Sequence, residues 1–395
     1  MPKTSNTPAS TILILILLVV FCPLAIDIYL PAFPVIASQL AVPEQHIQQT
    51  ISLFLLTVGL GQLIAGPLAD KYGRKPLTLF GMTLYGVSAL AASYATSFEM
   101  LLLARLVQGF GACATFVCAF AMVRDSFNAN KSAQVMSYLN GVICFIPALA
   151  PILGAWLTLN FGWQSNFLFL ASFAFISLFL VLFFAKETRP ENTLYQGKIT
   201  DFSRFIPILK NHVFLFHAMI CLLAMAVIIA FVSTAPSWLM SHLGLSTHEF
   251  TVWFTINAVL SIFASFTAPY FIKRSTRKAL LLGLGVLFFS GLLMLTLIGF
   301  NTPWAFMLPI FVASIGFSLT LGSAVGKALE PFATQAGTAS ALIGVMQMSG
   351  AGLLVSITLQ FGLSAPLLVL MHLTLLVPLL ILLYCDKTQR LHPSS

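Results

Sequence analysis

The sequence predicts an all-α polytopic membrane protein, with twelve transmembrane helices arranged as two pseudo-symmetric six-helix halves. Of its 395 residues, only 8% are charged and 59% are hydrophobic, whereas soluble domains carry about 25% charged residues. Twelve apolar runs are long enough for a membrane span, which needs about 20 residues. A polar stretch over 186–211 divides these runs six and six. The spans must be helical, because an open sheet in lipid would leave backbone groups unpaired.

The apolar runs and the polar stretch give the expected domain organisation. Residues 1–185 form an N-terminal six-helix half, 186–211 a linker, and 212–395 a C-terminal six-helix half. The first run follows Lys3 as in a signal peptide, but no small-residue cleavage site ends it, so we expect an uncleaved helix. In chain order the runs lie near 11–33, 47–69, 76–96, 98–122, 133–158, 163–185, 212–235, 250–272, 279–300, 303–326, 335–360 and 363–385.

Positive charge lies on one side of the twelve spans. The net charge is +8, and 18 of the 19 Lys and Arg residues fall on the side of the termini when the loops are numbered alternately. The nineteenth, Arg105, lies inside a span, and the opposite side has acids such as Glu44 and Glu249. By the positive-inside rule both termini and the linker are cytoplasmic. We therefore expect a multi-pass protein of a bacterial inner membrane, and the charge does not require nucleic-acid binding.

An internal repeat relates the two halves. The stretch AGPLADKYGRKPLTL at 65–79 aligns with TAPYFIKRSTRKALL at 267–281, at an offset of 202 residues that pairs Lys75 with Arg277. Two halves related by duplication are typical of transporters that bind their substrate at the interface between the repeats.

The stretch GPLADKYGRKPL at 66–77 has a Gly-x-x-x-Asp-x-x-Gly spacing that a plain basic loop does not explain. It resembles the loop signature of the major facilitator superfamily, and the six-plus-six arrangement of helices agrees with that resemblance. An acid at a helix end among basic residues can bridge to cations on neighbouring helices and hold one conformation. We expect a conformational latch formed by Gly66, Asp70, Gly73, Arg74 and Asp125.

Two charged residues lie well inside apolar spans. RLVQGFGACA, which starts at Arg105 in the fourth span, resembles the second signature of the superfamily, whose arginine is intramembrane. At a rise of about 1.5 Å per residue, Asp27 in the first span and Arg105 both fall in the outer half of a hydrocarbon core about 30 Å thick. Each charge costs roughly 2.5–3.5 kcal/mol at bilayer depth. A direct or water-mediated pairing of the two is the expected compensation.

Asp27 is also the predicted proton-coupling residue, with Arg105 as its modulator. Burial raises the pKa of a carboxyl and a nearby arginine lowers it, so a motion or a substrate that changes their separation changes the proton affinity. Proton binding and substrate binding then compete, which is the logic of an antiporter. A static buried ion pair between packed helices is the alternative.

The fifth span is expected to contain a hinge. GVICFIPALAPILGAWL at 141–157 resembles the antiporter signature of the superfamily imperfectly. Pro151 and Gly154 match it, while Ala150, Ala155 and Ile146 stand where glycine is usual. Prolines inside a helix bend it. The predicted hinge residues are Pro147, Pro151 and Gly154.

Three further stretches, DIYLPAFP (27–34), GWQSNF (162–167) and ALEPFATQAGTASAL (328–342), together look like the Bcr/CflA branch of drug-resistance exporters. That resemblance covers nearly the whole chain and implies proton-driven export of small, mostly uncharged or amphipathic compounds. Lys327 departs from the branch, which commonly has an apolar or small residue there. We expect it to act as an interfacial anchor, with an altered cytoplasmic gate as the alternative.

Substrate contacts are predicted around the two intramembrane charges and in the second half. Phe116 and Phe120 lie on the helix of Arg105 and can form an apolar wall for varied ligands. The amide side chains of Asn257 and Gln347 can line a cavity within the membrane, and holding neighbouring helices together is the open alternative for them. His217 and His372 are expected to be neutral and bonded to neighbours rather than to relay protons. The predicted substrate-binding residues are Asp27, Arg105, Cys113, Phe116, Phe120, Asn257 and Gln347.

Other classes of function lack their residues in this sequence. A membrane enzyme would need a clustered Ser/His/Asp set or a His-Glu-x-x-His motif, and no such motif occurs. No nucleotide-binding loop is present, so we expect the proton gradient to supply the energy, with no cofactor, metal or catalytic residue. Two related halves and a latch suit alternating access better than a channel. A dedicated exporter of a nucleoside, sugar or amino acid remains the alternative. In either case we expect a monomer whose partners are protons, a small-molecule substrate and the lipid bilayer.

Overall fold

The computed structural model describes residues 9–190, 202–386 and 390–392, and all regular secondary structure within these ranges is helical. A 3-10 turn, Leu30–Ala32, joins the first two helices. The first half contains α1 (Ala9–Asp27), α2 (Phe33–Gln39), α3 (Glu44–Tyr72), α4 (Arg74–Ser93), α5 (Phe98–Ser126), α6 (Ala129–Phe161) and α7 (Gln164–Phe184).

The second half follows a 3-10 turn, Phe202–Phe205, and the short helix α8 (Ile206–Leu209). Its helices are α9 (His212–Pro236), α10 (Thr247–Arg274), α11 (Thr276–Leu297), α12 (Pro303–Leu329), α13 (Ala336–Gly344), α14 (Ala351–Leu359), α15 (Ala365–Leu375) and α16 (Val377–Cys385). Irregular turns extend or join some of them: π-helical Ser237–His242 after α9, 3-10 Glu330–Gln335 after α12, and π-helical Val345–Gly350 between α13 and α14.

Twelve helical segments in the described ranges are long and apolar enough to cross a membrane, which confirms the predicted fold class. Large apolar side chains are exposed on the outside of the bundle, such as Phe80, Phe183 and Phe263, each more than 60% exposed. An apolar exterior of this extent suits lipid rather than water as the surrounding solvent. The chain is therefore a multi-pass membrane protein.

The first span differs from its prediction. The sequence predicted one helix over 11–33, but α1 ends at Asp27, and a turn leads through Leu30–Ala32 into α2. Pro31 lacks a backbone N–H and disfavours helical geometry in the residue before it. The membrane-crossing segment as a whole continues to Gln39, so the span is longer than predicted and broken near its middle.

The repeat is visible in the packing of the two halves. A Cβ placed on Gly81 of α4 would lie 3.0 Å from the carbonyl oxygen of Gly111 of α5. In the second half, a Cβ on Gly283 of α11 would lie 3.0 Å from the carbonyl oxygen of Gly316 of α12. Gly283 follows Gly81 by 202 residues, the offset of the sequence repeat. Each half thus brings two helix backbones together at a glycine pair.

The aligned basic residues Lys75 and Arg277 also have equivalent contacts. Lys75 Nζ donates a hydrogen bond to the carbonyl oxygen of Leu182 over 2.9 Å, near the end of α7. Arg277 Nη2 donates to the carbonyl oxygen of Leu383 over 3.0 Å, near the end of α16. A cation at the carboxyl end of a helix satisfies free carbonyls and interacts favourably with the helix dipole. The same repeat position therefore caps the end of the last membrane-crossing segment in each half.

The two halves meet along α3 of the first half and the α13–α14 segment of the second. Ser349 Oγ donates to the carbonyl oxygen of Leu56 over 2.6 Å, and a Cβ on Gly352 would lie 2.7 Å from the carbonyl oxygen of Ser52. Small residues at such an interface let helix backbones approach closely in a membrane. We call the end of the bundle that carries Gly73 and Glu187 the linker end, and the opposite end the far end.

Candidate transport site

Asp27 is the last residue of α1, at the break in the first span. Its side chain is buried, with 4% of the residue exposed. Within the described ranges its carboxylate forms no hydrogen bond or ion pair with another residue. The expected direct pairing with Arg105 is therefore absent from this conformation.

Arg105 is fully buried and obtains other partners. Its Nη2 donates to the carbonyl oxygen of Ala25 over 3.0 Å, and its Nη1 donates to Gln108 Oε1 over 2.6 Å. Ala25 has one of the last four carbonyls of α1, which an ending helix leaves without an intrahelical partner. The arginine thus caps the carboxyl end of α1, where a cation also interacts favourably with the helix dipole.

Aromatic rings surround the same guanidinium group. The centre of the Arg105 guanidinium lies 4.3 Å from the centroid of Phe54 and 4.7 Å from that of Tyr29. Phe167 is further away, at 6.0 Å. Cations within about 6 Å of a ring face are attracted by its quadrupole, and more strongly away from water. The Tyr29 hydroxyl is held 2.8 Å from Thr50 Oγ1, so the ring position is fixed from α3.

The predicted hinge residues lie in α6, which passes beside the break. Pro147 and Pro151 are inside this continuous helix. Gly154 touches the first span: a Cβ at this position would lie 1.6 Å from the carbonyl oxygen of Ile28, the residue after Asp27. The signature glycine of α6 therefore allows the broken backbone of the first span to pack directly against α6.

Three helices of the first half are joined by the predicted latch residues. Arg74 at the start of α4 forms ion pairs with Asp70 of α3 at 2.7 Å and with Asp125 of α5 at 2.8 Å. Arg74 is buried, and Gly73 before it has φ of +107°, a conformation that residues with a Cβ rarely adopt. The charge cluster lies within one half, so in this conformation it stabilises the linker end of that half rather than bridging the two.

Sequence reasoning missed the residues that anchor the start of the linker. The Glu187 carboxylate accepts backbone N–H groups of Arg74 and Lys75 over 2.9 and 3.1 Å, at the amino end of α4. Arg189 Nη1 donates to the carbonyl oxygen of Lys71 over 2.6 Å, at the end of α3. A carboxylate at a helix amino end and a cation at a carboxyl end both complement the helix dipole. The one signal in the sequence is that Glu187 and Arg189, an acid and a base, lie two residues apart at the start of the linker.

Burial acts to raise the pKa of Glu187, but hydrogen bonds outweigh it. Four backbone N–H groups donate to the carboxylate, those of Arg189, Arg74, Lys75 and Thr188, and hold the pKa below its ordinary value of 4.5. Donors favour the charged form of a carboxyl. Glu187 is therefore an ionised cap at neutral pH.

A cavity of about 440 Å³ lies at the linker end between the two halves. Phe116 and Phe120 line it, with ring centroids 5.0 Å apart. The opposite wall comes from the first turns of α13, at Gly337, Thr338 and Ser340. A volume of this size is typical of sites for small organic molecules.

The other predicted substrate contacts are not brought to this cavity. Cys113 is buried against Gly61, where a Cβ would lie 2.9 Å from its Sγ. Asn257 Oδ1 accepts a hydrogen bond from Ser314 Oγ over 2.9 Å, which joins α10 to α12. Gln347 lies in the π-helical turn Val345–Gly350. Asn257 therefore takes, in this conformation, the helix-joining role that was the alternative.

The two histidines inside spans are bonded to neighbours. His217 Nδ1 is 2.8 Å from the carbonyl oxygen of Val213, and His372 Nδ1 is 2.7 Å from that of Leu368. Each Nδ1 therefore carries the proton that it donates. His217 Nε2 is 3.0 Å from Nδ1 of His392, a buried residue of the C-terminal segment. Burial lowers the pKa of His392 to about 4, so His392 is neutral near pH 7.

Lys327 requires a correction. An interfacial anchor would be exposed at the membrane surface, but Lys327 is only 5% exposed and forms an ion pair with Glu330. The acid belongs to the ALEPFATQ stretch itself. A buried ammonium needs such a partner, since an unpaired buried charge is strongly destabilising.

The far end of the bundle is closed by hydrogen bonds between the halves. Gln48 Nε2 donates to Ser237 Oγ over 2.8 Å, and Ser241 Oγ donates to Glu44 Oε1 over 2.6 Å. Gln45 Nε2 bonds the carbonyl oxygen of Leu359. These bonds join the two halves beside a smaller cavity of about 290 Å³ that Gln45, Gln48 and Ser237 line, whereas the cavity of about 440 Å³ lies between the halves at the linker end. In the described ranges no three His, Cys, Asp or Glu residues are grouped as metal ligands.

Comparisons with known proteins agree with this architecture. The sequence profile of the Major Facilitator Superfamily matches residues 15–355. Multidrug resistance protein MdtL of Escherichia coli O157:H7 (strain EC4115 / EHEC) is 34% identical over 348 residues, which cover 88% of each chain. Among solved structures, a D-xylose-proton symporter is similar with a TM-score of 0.79 at 14% identity, covering 98% of this chain and 99% of that one. The xylose transporter XylE from E. coli, in a partially occluded inward-open conformation, has a TM-score of 0.76 at 13% identity, covering 96% and 99%.

Proposed function

Because the chain belongs to the major facilitator superfamily, we propose that it exports drugs or drug-like small molecules by alternating access, in exchange for protons. The observation that carries the proposal is Asp27, a carboxyl buried at a helix break without a cationic partner. The relative named for multidrug resistance supports the substrate class. The resemblance of DIYLPAFP and ALEPFATQAGTASAL to the Bcr/CflA branch supports the same assignment.

The transport cycle begins, in this proposal, from the conformation described above. A substrate enters the cavity at the linker end while hydrogen bonds such as Gln48–Ser237 keep the far end closed. Rocking of one half against the other then closes the linker end and opens the far end. Closure brings Asp70 toward the first turn of α13, because both line the cavity. The amino end of a helix attracts an anion, so Asp70 can hold the closed state.

Asp27 is the proposed proton-binding group. A buried carboxyl without a cation or hydrogen-bond donor is more stable when neutral, since a lone buried charge costs several kcal/mol. The conformation described here therefore suits the protonated acid. Arg105 is bonded to Ala25, two residues before Asp27. A shift of α5 against α1 that exchanged the Ala25 carbonyl for the Asp27 carboxylate would stabilise the ionised acid and release the proton.

The arrangement in the cell is part of the proposal. The distribution of Lys and Arg supports a linker end that faces the cytoplasm of a bacterium, with both termini on that side of the inner membrane. Under this orientation the open cavity faces the compartment from which an exporter takes its substrate. A monomer with no cofactor is sufficient, because the proton gradient supplies the energy.

The test is transport by the purified protein in proteoliposomes with an imposed proton gradient. Gradient-driven transport of a labelled drug should be lost in Asp27→Asn, which mimics the neutral acid, while exchange of the drug between the two sides without a gradient persists. Glu99→Gln is the matched control, because it removes an exposed carboxylate at the far end and should change neither. Full gradient-driven transport by Asp27→Asn would place proton coupling elsewhere. Transport of a nucleoside, sugar or amino acid but of no drug would favour the dedicated metabolite exporter.

A further inference from the structure

Two carbonyls of α1, one helical turn apart, accept hydrogen bonds from the neighbouring helices. The Tyr85 hydroxyl of α4 donates to the carbonyl oxygen of Phe21 over 3.1 Å. Arg105 of α5 donates to the carbonyl oxygen of Ala25 over 3.0 Å. Positions four residues apart lie on the same face of a helix, and all four residues are fully buried. One face of α1 is therefore held at two successive turns.

The two donors belong to a closely packed pair of helices. A Cβ placed on Gly111 of α5 would lie 2.7 Å from the backbone nitrogen of Tyr85 and 2.6 Å from the carbonyl oxygen of Gly81 of α4. Small residues let two helix backbones pack in direct contact in a membrane, and closely packed interiors resist small displacements. The spacing between Tyr85 and Arg105 is therefore fixed by the contact of α4 with α5.

Pro23 lies between the two carbonyls of α1. It has no N–H to donate to the carbonyl four residues before it, and a helix bends readily at such a position. The chain before Pro23 is packed on two sides, because the Phe21 ring centroid lies 4.8 Å from that of Tyr85 and 5.0 Å from that of Phe173. The chain after Pro23 is the last turn of α1, which ends at Asp27.

We propose that Tyr85 is a positioning residue for proton coupling. Its hydroxyl fixes the part of α1 before Pro23, so that only the last turn, which ends at Asp27, moves when Arg105 exchanges its partner. The proposal rests on the proposed function, which takes Asp27 as the proton-binding group. If α1 moved as a rigid helix against α4 and α5, the Tyr85 bond would break. A bend at Pro23 moves the last turn and leaves that bond intact.

The position of the acceptor, rather than the bond alone, carries this assignment. A buried phenol needs a hydrogen-bond acceptor in any case. The acceptor of Tyr85 lies two residues before the proline, however, and the acceptor of Arg105 lies two residues after it. If the bond only satisfied the hydroxyl, its loss would lower stability without changing the number of protons that accompany each drug molecule. A positioning role requires that number to change.

The test variant is Tyr85→Phe, which removes the hydroxyl and keeps the ring that packs against Phe21. Proteoliposome assays with a labelled drug give the KM, the maximal rate and the number of protons moved per drug molecule. Loss of one hydrogen bond shifts an equilibrium by about fivefold, so drug movement without protons should rise by about that factor. The number of protons per drug should fall, whereas the KM should stay within about twofold, because Tyr85 does not line the linker-end cavity.

Tyr94→Phe is the matched control. It removes the hydroxyl of an exposed tyrosine at the end of the same helix, and it should change neither the number of protons per drug nor the KM. An unchanged number of protons per drug in Tyr85→Phe would overturn the inference. The proposed function fails by a different result, namely that the native chain moves no drug with the proton gradient.

Hydrogen–deuterium exchange of α1 tests the anchor and the bend without drug or gradient. Tyr85→Phe should speed the exchange of backbone N–H groups before Pro23 by about fivefold. Pro23→Ala restores the missing N–H, so exchange in the last turn, over 24–27, should slow. A variant that merely misfolds would exchange faster along all of its helices, which the same measurement reveals. Equal exchange of α1 in Tyr85→Phe and native protein, or faster exchange of the last turn in Pro23→Ala, would contradict the proposal.

Discussion

Arg105 on α5 donates a hydrogen bond over 3.0 Å to the backbone carbonyl of Ala25, which is 80 positions away in the chain. This bond, rather than an ion pair with Asp27, accounts for the buried guanidinium in the present conformation. It also ends α1 at the point where the first span breaks. The break, the arginine and the nearby carboxyl thus form one structural unit, so changes to any of them should affect both stability and proton coupling.

The first prediction concerns removal of Arg105. Arg105→Ala leaves the Ala25 carbonyl and Gln108 Oε1 without their donor, at a cost of about 1–3 kcal/mol for each buried acceptor. Arg105→Lys keeps the charge but replaces a planar fork with a single ammonium, so an intermediate loss is expected. Thermal unfolding in detergent measures the loss of stability in both variants. Arg124→Ala, an exposed arginine on the same helix, is the control and should change stability by less than about 0.5 kcal/mol. Equal melting of Arg105→Ala and native protein would contradict the capping role.

The second prediction concerns the contact between α6 and the broken span. In Gly154→Ala the new Cβ would overlap the carbonyl oxygen of Ile28, at 1.6 Å, so α6 must move away from the break. Both stability and gradient-driven transport should fall. Gly141→Ala on the same helix is the matched control, because its Cβ would meet no atom nearer than Phe266 Cζ at 3.7 Å. If the two variants melt and transport alike, the close approach at Gly154 has no importance.

The third prediction separates the two acids of the latch. The Asp125 side chain is 12% exposed and that of Asp70 is 41% exposed, so Asp125→Asn should destabilise the protein more. The double variant leaves the buried Arg74 without a carboxylate, and its loss should exceed the sum of the single losses by roughly 0.5–3 kcal/mol. Thermal unfolding of the native protein, the two single variants and the double variant measures this coupling energy. Asp70→Asn should also slow transport while substrate binding persists, and unchanged transport at equal expression would count against a latch.

The fourth prediction concerns Glu187 and pH. Since the folded pKa is held below 4.5, the carboxylate stabilises the protein above that value and loses its effect as the pH falls through the folded pKa. Glu187→Gln should therefore melt below the native protein at about pH 7, and the difference should shrink below about pH 4.5. Unfolding curves measured across this range provide the comparison. A difference that grows on acidification would reverse the predicted sign.

The fifth prediction concerns orientation. Cys385 at the end of α16 is exposed and free, whereas Cys22, Cys113, Cys118 and Cys221 are buried. An impermeant maleimide should label Cys385 only after cells are permeabilised, with the half-buried Cys144 changed to Ser to remove its background. Asn301→Cys, which replaces an exposed residue at the far end, should be labelled in intact cells. Labelling of Cys385 from outside would invert the topology. Ser395 and Gly197, the other positions suited to this test, lie outside the described residues.

Much of the site could be anticipated residue by residue, but not its contacts. The sequence pointed to Asp27, Arg105, Asp70 and Gly154 because a charge or an unusual glycine inside an apolar or basic stretch is visible locally. It did not show that Lys327 would be buried and paired with Glu330, or that Glu187 would cap α4. Those contacts depend on where helix ends meet, and a polar stretch looks the same in sequence whether it caps a helix or faces water.

The sequence by itself determined the class of fold, the twelve spans and the repeat. In lipid each span must satisfy its own backbone hydrogen bonds, so a span is a local property that length and hydropathy reveal. Duplication likewise leaves a fixed offset that can be counted. Only the tertiary structure decided which groups share the membrane interior: Arg105 with Ala25, Ile28 with Gly154, and the Phe116–Phe120 wall with α13. The physical reason is that these partners lie far apart in the chain. Helices in one bundle can also shift against each other and change such partners while every span remains a helix, so the partners are not a local property of the sequence.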